Sequence, residues 1–216
     1  MRVLVTAGPT WEFIDDVRYI SSPSSGRMGF AVAEVFAAAG HTVELITGPT
    51  HLEPPCDVAC IRVTSAREMH QAAMKRLKKA EVVVMTAGVS DYRVGEKVTG
   101  KRKRTGDKWV LELVENPDIL NEIGRKKGDR ILVGFAVESA SPRRGALEKL
   151  RKKNLDFIVL NSPSAFGADV TSVDIIDDHE RTTRLRKVTK HEVAVNILRR
   201  VEELGKERAS GRRRGG

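Results

Sequence analysis

The chain has 216 residues, of which 40% are hydrophobic, enough for one large domain or two small ones with a sizeable core. It contains no run of about 18 apolar residues, which excludes a membrane-spanning helix, and its first ten residues predict a strand and a turn instead of a signal peptide. The formal net charge of +9 suits anionic substrates as well as nucleic acid, and the basic segment 205–216 contributes strongly to it.

Apolar runs alternate with amphipathic stretches along the chain, as they do in βαβ units. Strands are predicted at residues 2–7, 41–47, 60–63, 82–86, 131–136 and 157–160. Helices are predicted at residues 29–39, 65–79, from 116 onward, 141–153 and 191–204. Because the two kinds of element alternate at this spacing, we predict the α/β class, with a Rossmann-like, mainly parallel sheet flanked by helices. In such sheets ligands bind at the carboxyl ends of the strands.

Local signals mark some helix ends and some departures from this alternation. Ser65, with Glu68 three residues later, has the spacing of a capping box, and Ser141 is placed to cap the helix that follows it. Residues 172–176 and 181–188 predict a closing hairpin. Residues 93–114 are polar, basic and alternating, and predict a protruding basic β-hairpin arm.

The same patterns predict how the chain is divided. Residues 1–204 are expected to form a single α/β domain that includes the arm. Residues 205–216 are low in apolar content and are expected to form a disordered basic tail.

The connection at residues 9–28 is long and irregular, and loops of this length inside a compact domain are usually functional. It ends at a predicted helix N-terminus, preceded by Ser24, Ser25 and Gly26. Orphan N–H groups, two hydroxyls and a flexible glycine favour an anion there, and Arg18 and Arg27 add positive charge. The alternative is a serine that caps an ordinary amphipathic helix.

Three further stretches combine residue types that suit a nucleotide. Small residues follow the strand at 82–86 and lead to Asp91, which could hold a metal or a ribose, although a tight turn explains them as well. In a strand, Lys101 and Lys103 would point to one side, which suits a polyphosphate, whereas the alternative is a solvated charge run or an unspecific nucleic-acid patch. Lys149 and Lys153 are spaced i, i+4 and share a helix face.

Other kinds of site find no support in the spacing. The first strand is not followed by G-x-G-x-x-G, so a conventional NAD site is not expected. The five histidines do not cluster in the sequence, so neither a catalytic triad nor a zinc site is predicted. The sequence does not identify ligands for any other metal. Cys56 and Cys60 are expected to be two buried thiols, with a disulfide as the alternative.

Six ordered blocks together resemble one known family. They are LVTAGPTWEFIDDVRYISSPSSGRMG, TAGVSDYR, the basic run at 101–104, ENPDIL, VGFAVE and EKLRKKNLDFIVLN. Over roughly residues 2–200 the chain resembles phosphopantothenate–cysteine ligase, the second enzymatic domain of the bifunctional coenzyme A biosynthesis protein. No flavin-dependent decarboxylase block precedes the match in this sequence, so a stand-alone ligase is expected.

The resemblance implies a reaction and its partners. The family joins 4′-phosphopantothenate to L-cysteine with Mg²⁺ and a nucleoside triphosphate, either CTP or ATP. The substrate carboxylate attacks the α-phosphate, pyrophosphate leaves, and the cysteine amine then attacks the acyl-nucleotidylate. The resemblance also implies a homodimer in which the basic arm packs near the partner's site. The absence of a signal peptide and of a long apolar run predicts a cytoplasmic protein without a membrane partner, and a nucleic-acid partner is not expected.

The resemblance also implies roles for individual residues. Lys101 and Ser22 are the expected catalytic residues. The nucleotide is expected to contact Met85, Thr86, Ala87, Asp91, Lys101, Asn116, Pro117, Asp118, Ile119, Phe135, Lys149 and Lys153. Phosphopantothenate and the acyl-nucleotidylate are expected to contact Arg18, Ser22, Ser24, Ser25 and Gly26.

The sequence departs from the family pattern at two positions. Ser22 stands where the family usually has an asparagine that is linked to handling the acyl-nucleotidylate, and it is shorter and lacks the amide. Arg104 stands where the family's basic motif ends in lysine, and the two are not equivalent at a phosphate.

Two other functions compete with the ligase. An NAD(P)- or flavin-dependent oxidoreductase could use a similar sheet, but the dinucleotide fingerprint is missing. A non-catalytic nucleic-acid-binding module would account for the net charge, but aromatic residues make up only 5% of the chain and supply few stacking platforms.

Overall fold

The structure is a computed structural model and describes residues 1–137, 142–161 and 170–213, the side chains only as far as 210. The strands of this part of the chain are β1 (Arg2–Ala7), β2 (Glu12–Phe13), β3 (Tyr19–Ile20), β4 (Thr42–Thr47), β5 (Val58–Arg62), β6 (Val82–Met85), β7 (Tyr92–Val94), β8 (Leu113–Glu115), β9 (Ile131–Val137), β10 (Phe157–Asn161), β11 (Val170–Asp177) and β12 (Thr182–Thr189). Its helices are α1 (Arg27–Ala38), α2 (Ala66–Leu77), α3 (Ile119–Arg125), α4 (Pro142–Lys152) and α5 (Lys190–Arg213). The predicted cap at Ser141 and most of the loop after β10 lie outside the described residues.

Eight strands form one sheet in the order β12-β11-β10-β9-β6-β1-β4-β5. The six strands from β10 to β5 pair in parallel, and β11 and β12 add an antiparallel hairpin at one edge. The chain moves outward from β1 through β4 to β5, then returns to the other side of β1 at β6. The Rossmann-like, mainly parallel sheet is confirmed, and its switch point lies between β1 and β6.

Helices cover both faces of the sheet, which explains why the central strands are apolar throughout. All four residues of β6 are buried, as in parallel strands that have helices on either side. α1 and α5 pack on one face through side chains such as Phe36 and Ile197. α2, α3 and α4 pack on the other through Met69, Ile123 and Leu150, for example.

Two side chains cap the N-terminus of α2: Ser65, which the sequence predicts, and Glu12, which it does not. The Glu68 N–H donates to Ser65 Oγ (3.2 Å), and Glu68 Oε2 accepts from the Thr64 N–H (2.8 Å), so the cap at Ser65 is confirmed. The Glu12 carboxylate, from the long connection after β1, also accepts from the Ala66 N–H (2.9 Å). This bond ties the connection to the body of the domain.

The connection at 9–28 is more ordered than predicted. β2 and β3 pair antiparallel within it, and the rings of Trp11 and Tyr19 stack with their centroids 4.2 Å apart. Phe13 packs edge-on against both rings. The prediction of an irregular segment is therefore wrong for residues 12–13 and 19–20, where aromatic packing supports a short ladder.

The predicted arm has a ladder only at its base. β7 and β8 pair antiparallel over three residues each, while residues 95–112 between them contain no strand in the structure. Gly100 and Gly106 adopt left-handed backbone conformations, with φ of 74° and 86°, which turn the chain where a strand needs extended backbone. The proposed alternation of Lys101 and Lys103 across a strand is therefore wrong.

The C-terminal segment differs from its predicted disorder, because α5 continues to Arg213. The Arg208 guanidinium contacts the buried Asp156 carboxylate and donates to the Asp129 carbonyl oxygen (2.8 Å). Asp156 also accepts from Lys127 Nζ (3.0 Å) and the Leu132 N–H (2.7 Å). A low apolar content suggested disorder, but a buried acid holds this part of the helix through a charged side chain.

The two cysteine thiols differ in their exposure. Cys56 is exposed and Cys60 is half-buried, and both thiols are free, so the prediction of two buried thiols is wrong for Cys56. Burial raises the pKa of the Cys60 thiol above its ordinary value. Across the described ranges, none of the helices has the length and apolar character needed to cross a membrane.

We predict that Arg208→Ala lowers the free energy of unfolding by about 1–3 kcal/mol, because it removes a charged hydrogen-bond partner from a buried carboxylate. Thermal denaturation of the full chain measures the effect. Lys206→Ala, which removes an exposed basic side chain from the same helix turn, is the control. Equal melting temperatures for the two variants would contradict the role assigned to Arg208.

Candidate active site

The ends of β1 and β6 come together at the switch point of the sheet. The Gly88 N–H donates to the Gly8 carbonyl oxygen (2.9 Å), and a parallel bridge joins Pro9 and Gly88. The loops after the two central strands therefore run in direct contact at the carboxyl edge. In a doubly wound sheet this is where a binding crevice opens.

The segment Ser22–Gly26 lies against the loop that follows β6. Ser22 Oγ donates to the Gly88 carbonyl oxygen (2.8 Å). A Cβ atom on Gly88 would lie 2.5 Å from Ser22 Oγ and 2.8 Å from the Ser24 Cβ, so the two segments approach closer than any side chain would allow. Glycine is required at position 88 for this contact.

Gly26 occupies the N-cap position of α1 in a left-handed conformation (φ 80°), and no side chain caps this helix end among the described residues. The first-turn N–H groups of α1 therefore keep the donor capacity that an anion needs. The Ser25 carbonyl oxygen accepts from Thr50 Oγ1 (3.2 Å), which anchors the approach to the helix. The structure thus brings Ser22, Ser24, Ser25 and Gly26 together.

Arg18 does not join this group of four. Its Nε donates to Asp15 Oδ2 (3.0 Å), and its Nη2 contacts the same oxygen (2.5 Å). Its guanidinium also lies over the Trp109 ring, 5.0 Å from the centroid. Arg18 is therefore committed to a neighbouring carboxylate and an aromatic ring.

A cleft of about 450 Å³ opens on the other side of the β6 loop. Ten of the predicted nucleotide residues line it: Met85, Ala87, Asp91, Asn116, Pro117, Asp118, Ile119, Phe135, Lys149 and Lys153. Thr86 and Lys101 do not. The Thr86 hydroxyl donates to the Thr6 carbonyl oxygen (2.7 Å) and so faces the neighbouring strand.

The turn that leads into α3 is held in place by the segment after β6. The Asn116 N–H donates to the Asp91 carbonyl oxygen (2.8 Å), and the Asn116 side-chain amide donates to the Ser90 carbonyl oxygen (2.9 Å). Arg93 Nη1 donates to Asn116 Oδ1 (3.3 Å). Two stretches that are 25 residues apart therefore form one wall of the cleft.

Asp118 and two lysines of the α4 region also line the cleft. Asp118 accepts from the Asn121 N–H (3.0 Å) as the N-cap of α3 and pairs with Lys153 Nζ (3.0 Å). Burial acts to raise the pKa of Asp118, but the Asn121 N–H and the Lys153 ammonium outweigh it and hold the pKa below its usual value. Lys149 Nζ donates to the Phe135 carbonyl oxygen (2.7 Å). Asp118 therefore stays ionised and keeps Lys153 in the cleft.

Sequence reasoning missed six residues of the lining: Val89, Ser90, Tyr92, Glu115, Leu120 and Lys152. Of these, Lys152 matters most, because it adds a third ammonium group to the wall that carries Lys149 and Lys153. Its i, i+3 spacing from Lys149 is a helix-face signal that could have identified it.

Lys101 lies in the loop 95–112, which contacts the segment 12–20 and not the cleft of the same chain. The Gly100 N–H donates to Asp16 Oδ2 (2.7 Å), and the Val98 N–H donates to the Ile14 carbonyl oxygen (3.0 Å). Lys101 itself is exposed. Lys101 therefore does not line the cleft of its own chain.

Residues 1–204 match the family described as the DNA/pantothenate metabolism flavoprotein C-terminal domain. The chain is 41% identical to the coenzyme A biosynthesis bifunctional protein CoaBC of Haemophilus influenzae over 209 residues, which cover 94% of this chain and 52% of that protein. It is 40% identical to the protein of the same name from Bacillus subtilis over 213 residues, which cover 95% and 52%. The chain spans about half the length of these curated relatives.

A solved structure has the same fold over almost its whole length. The crystal structure of the C-terminal domain of the coenzyme A biosynthesis bifunctional protein CoaBC superposes with a TM-score of 0.83 and 36% sequence identity. The alignment covers 95% of this chain and 96% of that domain. The chain therefore shares its fold with almost the whole of that C-terminal domain.

We predict that Gly88→Ala lowers the free energy of unfolding by about 1–3 kcal/mol, because its Cβ would overlap the Ser22 Oγ and Ser24 Cβ atoms and displace them. Urea denaturation measures the change. Gly95→Ala is the matched control, since the nearest atom to its Cβ would be 3.6 Å away, an ordinary contact. A Gly88→Ala protein as stable as Gly95→Ala would show that the Ser22 segment does not depend on this close approach.

Proposed function

The chain belongs to the family of DNA/pantothenate metabolism flavoprotein C-terminal domains, and from this premise we propose that it ligates 4′-phosphopantothenate to L-cysteine. A substrate carboxylate oxygen bonds to the α-phosphorus of a nucleoside triphosphate, and pyrophosphate leaves. The cysteine nitrogen then bonds to the activated carbonyl carbon, and the nucleoside monophosphate leaves. Phosphopantothenoylcysteine is the product.

One observation carries this proposal. Met85 at the end of β6 and Ala87 in the loop after it line the cleft, and Gly88 of the same loop contacts Ser22 in the segment that leads to the N-terminus of α1. A site for a nucleotide and a site for a second anion thus share one loop. A reaction between a carboxylate and an α-phosphate needs two anionic reactants held side by side, which this arrangement supports.

The cleft supplies what a nucleoside triphosphate needs. The Asn116–Ile119 turn offers amide and carboxylate groups to a base and ribose. Lys149, Lys152 and Lys153 offer three ammonium groups to phosphates. Phosphate binding would compete with the bonds that these lysines now make to Phe135 and Asp118, so we expect those bonds to rearrange on binding.

The Ser22–Gly26 segment is the proposed site for phosphopantothenate and the acyl-nucleotidylate. Its donors are the first-turn N–H groups of α1 and the serine hydroxyls. The Ser22 hydroxyl donates to Gly88, and the Ser21 hydroxyl donates to the Thr10 carbonyl oxygen (2.8 Å). Ser22 therefore stands nearer to the nucleotide loop than Ser21, which supports Ser22 in the place of the family's asparagine.

Magnesium is the proposed companion of the nucleotide. Within residues 1–137, 142–161 and 170–213, no group of three or more His, Cys, Asp or Glu side chains is placed to hold a metal ion. Mg²⁺ on a triphosphate needs only one or two protein carboxylates, because phosphates and waters supply its other ligands. The Asp91 carboxylate lines the cleft and fits that need. A bound ion would offset negative charge on the phosphates.

We also propose a homodimer in which Lys101 serves the partner's cleft. Apolar side chains on the neighbouring ladders β2–β3 and β7–β8 are exposed: Val17, Tyr19, Ile20, Tyr92 and Leu113. A cluster of this kind typically marks a protein interface. Since the basic loop lies beside this surface, a second copy docked there would receive Lys101.

We predict that the protein with Mg²⁺, phosphopantothenate and cysteine releases pyrophosphate, and that Lys101→Gln reduces the rate at least about 100-fold by removing a charge from the phosphates. Lys108→Gln, which neutralises an exposed lysine of the same loop, is the control. Parallel assays with CTP and ATP identify the nucleotide. Near-normal turnover by folded Lys101→Gln would contradict the role of Lys101, and no release with either nucleotide would contradict the proposed function.

We predict that two inactive variants, Lys101→Gln and Asn116→Ala, recover about a quarter of the wild-type rate when their subunits are mixed and reassorted. If Lys101 acts on the partner's cleft, each mixed dimer has one intact site and one doubly altered site. If it acts within its own chain, every site carries one lesion and no activity returns.

Leu113→Asp tests the surface in the same mixture. A charge buried at the interface should prevent dimer formation, so sedimentation velocity should show monomers. The mixture of inactive variants should then recover no activity. Val170→Asp is the matched control, because Val170 is an exposed aliphatic residue of β11, which belongs to a different sheet from both ladders. A dimer that survives Leu113→Asp would place the interface elsewhere.

A further inference from the structure

Asp15 lies at the junction between the segment that leads to Ser22 and the loop that carries Lys101. Its side chain is fully buried, at 0% relative exposure. Asp15 Oδ1 accepts from the N–H groups of Val17 (2.9 Å) and Arg18 (2.7 Å). Asp15 Oδ2 accepts from Arg18 Nε (3.0 Å) and from the Arg102 N–H (3.3 Å). One carboxylate therefore bonds both segments.

Asp16 makes the matching contact on the other side of Lys101. Its Oδ2 accepts from the Gly100 N–H (2.7 Å), and its own N–H donates to the Gly100 carbonyl oxygen (3.3 Å). Its Oδ1 pairs with Lys97 Nζ (2.7 Å). The residues that precede and follow Lys101 are thus each bound by one of two adjacent carboxylates.

Trp109 adds a third link between the two segments. The Arg18 guanidinium lies 5.0 Å from the centroid of its ring, and that of Arg102 lies 4.7 Å from the same centroid. Arg18 Nη2 also donates to the Arg102 carbonyl oxygen (3.1 Å). Because Asp15 fixes Arg18, it also fixes the group that holds Trp109 and Arg102.

These contacts oppose a strong local repulsion. Four successive cations, Lys101 to Arg104, stand in a loop that has no strand pairing between β7 and β8. Like charges at this spacing would extend the loop and leave its path undefined. The Arg18 guanidinium, together with the Val17, Arg18 and Arg102 N–H groups, holds the pKa of Asp15 far below its usual value, so its negative charge persists over the physiological range.

We propose that Asp15 is a positioning residue that fixes the backbone at Arg102 to the segment 12–20 and so holds Lys101 where the loop presents it to the partner's cleft. The proposal rests on the proposed function, because it concerns the same reaction. Asp15 touches neither substrate. It sets the path of the loop that carries Lys101, and so the position from which Lys101 reaches the triphosphate in the partner's cleft. Its loss therefore affects the chemical step more than nucleotide affinity.

The first test is a measurement that requires no activity. Trypsin cleaves after lysine and arginine, and cleavage within 101–104 requires the loop to leave its bound path. We expect Asp15→Asn to raise the rate of cleavage there about 10-fold, because a neutral amide forms weaker bonds to Arg18 and the Arg102 N–H. Asp107→Asn, which removes an exposed carboxylate from the same loop, should leave the rate unchanged.

The second test separates positioning from folding. For folded Asp15→Asn, we expect kcat for pyrophosphate release to fall about 10- to 100-fold while KM for the nucleotide changes less than about threefold. Asp16→Asn replaces a half-exposed side chain and leaves the buried Asp15 site intact. It should also raise the trypsin cleavage rate and lower kcat, and it replaces Asp15→Asn in both tests if that variant fails to fold.

Two results would overturn the proposal: unchanged cleavage in both variants, or a loosened loop with wild-type kcat. The wild-type rate of pyrophosphate release reports separately on the proposed function. The ratio of kcat in the variant to kcat in the wild type, together with the rate of trypsin cleavage, reports on Asp15 alone.

Discussion

The close approach of three backbone segments at the carboxyl edge of the sheet is the constraint on which the site depends. β1 and β6 are joined there through Gly8 and Gly88, and Ser22 bonds to the same Gly88. A further glycine, Gly29, lets α1 lie against the sheet, since a Cβ there would be 2.5 Å from the Ala7 Cβ. Because these positions carry no side chain, the proposed nucleotide cleft and the segment that leads to α1 can share one loop.

Buried and partly buried carboxylates organise the rest of this basic chain. Glu12 ties the long connection to α2, Asp15 ties it to the loop of Lys101, and Asp156 receives Arg208 from the last helix. In each case the acid joins segments that are far apart in sequence. A buried carboxylate must keep its partners, so each one specifies a single arrangement of the backbone around it.

The proposed chemistry follows from this arrangement without a strong side-chain nucleophile. The reactants supply the attacking carboxylate and amine, so the protein has to hold anions together and offset their charge. Helix N–H groups, hydroxyls and lysines provide that function at the edge of a rigid sheet. The proposed dimer completes the set, because Lys101 lies beside an exposed apolar surface and not in the cleft of its own chain.

Local patterns in the sequence determined the α/β class, the cap at Ser65 and, through the family motifs, most of the cleft lining, because periodicity and turn residues act over a few neighbours. Tertiary structure decided what depends on distant partners. Arg18 bonds to Asp15 and lies over Trp109. The loop that carries Lys101 is held by two carboxylates and forms no strand, and Lys152 lines the cleft. The segment 205–213 became helical, and Arg208 within it met a buried acid. Charge composition alone cannot reveal such a pairing, since the two partners lie 52 residues apart in the chain.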